Sequence, residues 1–134
     1  MNEQNTLKMK TDFPKLFRLF NSSQTQFQFW GAMCGDGWFD IVYQLCADIE
    51  IVAREAGCNA RWWPRVYAIK EKFGCLRVQI ERPRRLGEVI NKLVEEAESA
   101  SLKICEKCGA PGKRNEQGWY RTRCEEHTIL TEES

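Results

Sequence analysis

Val66-Tyr67-Ala68-Ile69-Lys70-Glu71-Lys72-Phe73-Gly74-Cys75-Leu76-Arg77-Val78-Gln79-Ile80 holds two short runs rich in apolar and β-branched residues, joined at Lys72-Phe73-Gly74. Such runs around a glycine-containing break predict an antiparallel hairpin, with strands at 66–70 and 76–80. Upstream, Trp38, Ile41, Val42, Leu45, Cys46, Ile49, Val52 and Ala56 recur at helical spacing, and Gly57 supplies a stop. Downstream, Pro83 suits the opening of another helix, whose apolar stripe is Leu86, Val89, Ile90, Leu93, Val94 and Ala97. A hairpin set between two amphipathic helices makes the chain α+β.

Working outward, Asp12 precedes Phe13, Leu16, Phe17 and Phe20, a spacing that predicts a short N-terminal helix. Phe27, Phe29 and Trp30 suggest a third strand, ending at the Cys34-Gly35-Asp36-Gly37 turn. Asp36 is placed to cap the long helix that follows. The expected body, residues 1–103, is therefore a three-stranded, mainly antiparallel sheet with helices. No proline or glycine linker separates it from a second unit at 104–134, so the two should be rigidly coupled.

The 134 residues are 43% hydrophobic and 29% charged, with no internal repeat, which describes a globular chain and not a disordered one. No run approaches the roughly 18 apolar residues of a membrane span, and residues 1–10 lack a signal-peptide core. A cytoplasmic protein without membrane association is expected. Net charge is +1, but it is unevenly spread. Residues 21–56 carry five acids and one base, whereas 57–85 carry eight bases and two acids. The molecule is electrically two-faced.

Cys105-Glu106-Lys107-Cys108-Gly109 is followed by Cys124-Glu125-Glu126-His127, giving C-x2-C-x15-C-x2-H. Three thiolates and an imidazole in paired spacing suit tetrahedral zinc, one Zn2+ per chain. Gly109 fits a tight knuckle, Trp119-Tyr120-Arg121 reads as a returning strand, and Thr122 with Glu125 forms a capping-box pattern that would start a ligand-bearing helix. Together these describe a treble-clef-like zinc finger. Four protein ligands leave no open position for an activated water, so the metal is expected to be structural. The site also uses the chain's one histidine, removing the commonest general base. Cys34, ahead of a helix N-terminus, is the remaining candidate nucleophile, but without a base it reads better as a half-buried structural residue. No catalytic residue and no small-molecule substrate are assigned; the chain is not expected to be an enzyme.

Candidate partner-binding residues lie in the basic segment. Arg61, Trp62, Trp63 and Arg65 mix aromatic area with charge, as do hot spots and base-stacking sites, although the tryptophans could equally cover the sheet. Arg82, Arg84 and Arg85 stand at a helix start, where the dipole disfavours cations.

The Cys34-Gly35-Asp36-Gly37-Trp38 turn before a long helix, Lys70-Glu71-Lys72-Phe73-Gly74 followed by Leu76-Arg77, Cys105-x-x-Cys108-Gly109-x-Pro111-Gly112, Gly118-Trp119 and Cys124-x-x-His127 together resemble a group of short proteins of tailed bacteriophages and prophages. The resemblance runs from about Phe29 onward. It implies a phage origin, hence a host cytoplasm, and brings no assigned activity. The leading expectation is a non-catalytic, zinc-stabilised accessory protein that binds and modulates or inhibits a host protein complex, such as a defence or transcription machine. The alternative is a nucleic-acid-binding protein using the basic 57–85 segment, Arg77 included.

Overall fold

The computed structural model describes residues 1–21, 32–115 and 118–128. Among these residues three helices, α1 (Glu3–Asp12), α2 (Phe39–Glu55) and α3 (Gly87–Ser101), accompany two antiparallel pairs of strands. The larger pair is β1 (Arg65–Lys72) with β2 (Cys75–Glu81); the smaller is β3 (Lys113–Arg114) with β4 (Thr122–Arg123). Among the described residues the sheet expected to have three strands gives way to two two-stranded ones. Met33 adds a single parallel bridge beside Lys70, and the strand expected around Phe27, Phe29 and Trp30 falls outside the described residues.

The hairpin forms as its sequence dictates. Phe73 and Gly74 make a two-residue turn with φ of 56° and 76°, matching the twist of the flanking strands. A hairpin alone exposes two rows of unpaired backbone groups, and here both edges are covered. On the β1 side, Val66 N–H donates to Leu16 O at 2.7 Å, and Met33 exchanges bonds with Ile69 and Glu71. On the β2 side, Leu76 N–H donates to Ser101 Oγ at 3.0 Å and Val78 N–H to Glu98 Oε2 at 3.1 Å. Side chains of α3 thereby take the place of a third strand.

Helix α2 ends as expected at Gly57, whose φ of 70° lets Cys58 N–H reach Ala53 O and Gly57 N–H reach Arg54 O. Those two bonds close the helix in a Schellman motif. The N-terminal helix differs from expectation. It occupies Glu3–Asp12, not the residues after Asp12, because Pro14 holds Phe13 at an extended φ of −129°. A single turn and a 3-10 helix (Arg18–Asn21) follow. The spacing of Phe13, Leu16 and Phe17 still predicted burial correctly: their exposures are 7%, 0% and 1%. They pack with Val42, Leu45 and Ile49 of α2, Val66 and Ile69 of β1, Leu76 and Ile80 of β2, and Ile90 of α3 in one core.

Candidate functional site

The chain enters the C-terminal segment through Ile104, which bridges to Pro111, and turns sharply at Glu106–Gly109. Gly109 has φ of 83°, and its N–H donates to Cys105 O at 2.9 Å. This knuckle presents Cys105 and Cys108. The β3–β4 pair returns the chain to Cys124, and a 3-10 turn (Glu125–His127) swings His127 alongside. The expected capping box is not made. Thr122 is buried in β4 and donates its hydroxyl to Gly74 O at 2.6 Å, tying the segment to the tip of the large hairpin. Any longer helix beyond residue 128 lies outside the described residues.

Cys105, Cys108, Cys124 and His127 converge so that their donor atoms all lie within 4.8 Å of one another and can hold a metal ion. Cys108 Sγ is 3.6 Å from Cys124 Sγ, and His127 Nδ1 is 3.7 Å and 3.1 Å from the sulfurs of Cys105 and Cys124. A tetrahedron with metal–sulfur bonds of about 2.3 Å and a metal–nitrogen bond of about 2.1 Å has edges of roughly 3.5–3.8 Å. The four atoms fit. A cation there takes His127 through Nδ1, which leaves the proton on Nε2. Burial opposes the Cys105 thiolate, but N–H groups of Cys124, Cys108 and Lys107, with the Cys108 thiol, outweigh it and bring the pKa to about 6. Cys108 moves upward: the Ala110 N–H favours its thiolate, but desolvation and the thiols of Cys124 and Cys105 prevail.

The glycine-rich turn before α2 seats this knuckle. Gly35 N–H donates to Glu106 Oε2 at 2.9 Å, Gly37 N–H to Glu106 O at 2.7 Å, and the Trp38 indole to Ile104 O at 2.9 Å. A Cβ on Gly37 would stand 2.1 Å from Cys105 O, and one on Gly35 2.3 Å from Glu106 O. Glu106, only 7% exposed, also pairs with Arg123 at 3.0 Å. Asp36 does not cap α2. Its Oδ1 accepts from Asn2 N–H at 2.7 Å and Asn5 Nδ2 at 3.2 Å, fastening α1 instead. Burial drives the Cys34 pKa up to about 12, against the pull of the N-terminal ammonium, so it is a neutral thiol.

The basic candidates divide by surroundings. Arg61, Trp62, Arg65, Arg82 and Arg84 line one groove of about 430 Å³, with Arg18, Trp63, Glu81 and Pro83. Asn59 Oδ1 accepts from Trp62 N–H and holds a 3-10 turn (Ala60–Trp62) on which Trp62 is 58% exposed, with the Arg61 guanidinium 5.1 Å from its ring. Trp63 is a correction. At 6% exposure, with Lys15 over its ring at 4.4 Å, it belongs to the core and not to a free partner surface. Arg85 is exposed; it donates to Ala56 O at 3.0 Å, at the C-terminal end of α2, where the dipole favours a cation, and with Trp62 and Arg84 it lines an adjoining recess. Arg82 donates to Ile80 O and Asn91, and Arg65 is held by Glu81 and Tyr67. Arg77 turns away to Glu98, 3.8 Å distant. Among the described residues, Arg61 and Arg84 make no ion pair. Arg18, bonded to the carbonyls of Lys15, Trp63 and Pro64, was not legible as a groove residue because 46 positions separate it from Pro64.

A second exposed cluster also escaped sequence reasoning. Phe73, Trp119 and Tyr120 are 61%, 67% and 42% exposed at the junction of the hairpin tip and the metal-bearing segment. The only signal was an aromatic residue in a turn position that favours glycine or asparagine. Comparison with family models, curated proteins and solved structures finds no match.

Proposed function

We propose that the chain is a non-catalytic nucleic-acid-binding protein whose final segment is held by one structural zinc ion on Cys105, Cys108, Cys124 and His127. Three soft sulfur donors and one imidazole suit zinc better than the oxygen-seeking cations, and four protein ligands leave no position for substrate. The knuckle, the short hairpin and the 3-10 turn that follow one another here match the first parts of a treble clef. The observation that carries the binding reading is the groove, where five arginines face one carboxylate beside an exposed indole. The phosphate oxygens of a duplex backbone neutralise such a groove. The setting proposed with this reading, on the resemblance to phage proteins alone, is the cytoplasm of an infected cell.

A host protein complex is the second reading. The Arg65–Glu81 pair at 2.6 Å partly neutralises the groove wall beside Trp62, as at the rim of a protein hot spot. Anisotropy with a labelled duplex separates the two. Nucleic-acid binding should weaken steeply between about 50 and 200 mM salt, and Arg61→Glu with Arg84→Glu should weaken it further while reducing the salt dependence. Absence of duplex and single-strand binding, with retention of one host protein from nuclease-treated lysate, would favour the second reading.

A further inference from the structure

We propose that the tip of the β1–β2 hairpin and the loop of the metal-bearing segment form a second site, a stacking platform for single-stranded nucleic acid. It goes beyond the groove reading, because it lies at the opposite end of the hairpin and shares no residue with the groove. Phe73 occupies a turn position with φ of 56°, a region that bulky side chains rarely adopt. Backbone strain that sets an apolar ring in water contributes nothing to the core, and such outliers gather at binding sites. The ring meets Tyr120 edge-on, with centroids 6.4 Å apart and planes at 86°, and Trp119 stands beside them. The recess they border measures about 300 Å³.

Charge selects the occupant. The Lys72 ammonium lies 5.7 Å from the Phe73 ring, Arg114 5.3 Å from Tyr120 and Arg121 5.4 Å from Trp119. Among the described residues lining the recess, the one carboxylate is Glu71, which accepts from Arg121 at 2.6 Å and from Gly74 N–H at 2.7 Å. With Arg121 and Glu71 cancelling, Lys72 and Arg114 leave a positive excess among the described residues that repels a cationic ligand. A polyanion is attracted, and one that carries flat rings can stack as well. Bases expose their faces only when unpaired, so a single strand fits and a duplex does not.

The test uses the full, metal-loaded chain with a labelled oligothymidylate of about 15 nucleotides and a duplex of the same length. Phe73→Asn removes the ring while suiting the positive φ, so it should fold at least as well as the parent; Trp119→Ala alters an exposed side chain. Each should weaken single-strand binding at least about fivefold, and together more, leaving duplex binding unchanged. Quenching of tryptophan fluorescence by the oligonucleotide should fall in Trp119→Ala. Unchanged single-strand affinity in the folded double variant would overturn the proposal, as would loss of single-strand binding only in the Arg61→Glu and Arg84→Glu variant. Duplex binding without single-strand binding defeats this site and leaves the groove reading standing. Binding of neither form defeats both.

Discussion

Gly37 and Gly87 show how much one hydrogen in place of a methyl can matter. At Gly37 an added Cβ would meet the backbone carbonyl of Cys105, which cannot move without displacing the knuckle. Gly37→Ala should therefore cost about 1–3 kcal/mol or more in urea unfolding and weaken metal retention. At Gly87, in the first turn of α3 where φ is −56°, the nearest atom to an added Cβ is Arg82 Nε at 4.0 Å. Gly87→Ala should be neutral or stabilise by about 0.5–1 kcal/mol in the same measurement. Burial of Cys34 has a pH consequence. Its thiol ionises near 9.0 when unfolded and only at about 12 when folded, so its contribution to stability is intact below pH 9 and is lost as pH rises from 9 to 12. Stability in that window should fall by up to about 1.4 kcal/mol per pH unit from this thiol, and Cys34→Ala should flatten the alkaline limb of the curve.

At the scale of elements, the hairpin persists because helices finish it. Ser101 is fully buried at the end of α3 and accepts the Leu76 N–H that no strand receives. Ser101→Ala leaves that donor unsatisfied and should cost about 1–3 kcal/mol, with faster amide exchange at Leu76 as the local readout. Arg85 acts across elements in the same way, joining the start of α3 to the last carbonyls of α2. Its bond to Ala56 O accounts for a cation at this helix start, while its side chain stays exposed beside Trp62 and Arg84. Helices α2 and α3 and the large hairpin were legible because each carries its own period: 3.6 residues for the helices, short apolar runs around a glycine for the hairpin. Helix α1 was not, because its residues carry little amphipathic pattern and only Met9 in it is buried. The apolar period that mimicked a helix after Asp12 instead lines a turn and a 3-10 segment.

For the whole molecule, the metal site should behave as a clasp. Its segment is joined to the body at the Gly35–Gly37 seat, by the Trp38–Ile104 bond, and at the hairpin tip by Thr122 on Gly74 O, Arg121 on Glu71 and Arg114 on Phe73 O. Chelation should release residues 104–128, red-shift the emission of Trp38, which is otherwise fully buried, and abolish the Phe73–Tyr120 contact. Oligothymidylate binding should then disappear while duplex binding in the groove, built from residues 18–84, persists. Simultaneous loss of both, with global unfolding by circular dichroism, would show that the body cannot stand without the clasp.

Local chemistry was enough for the metal ligands. Two short spacings, each closed within one turn of chain, announce four donors without reference to the rest of the fold. The same holds for Gly57, whose positive φ is a property of one helix end. The fate of the cations and aromatics was decided elsewhere. Trp62 and Trp63 are adjacent in sequence, and only packing against the core makes one exposed and the other buried. Arg84 and Arg85 are adjacent too, yet Arg85 also reaches a helix end 29 residues away. Phe73 and Tyr120 meet across 47 positions because Thr122 and Arg121 dock on the hairpin tip. A pattern in sequence reports which side chains must leave water; where a charge or a ring ends up depends on long-range contacts, whose partners no local period encodes.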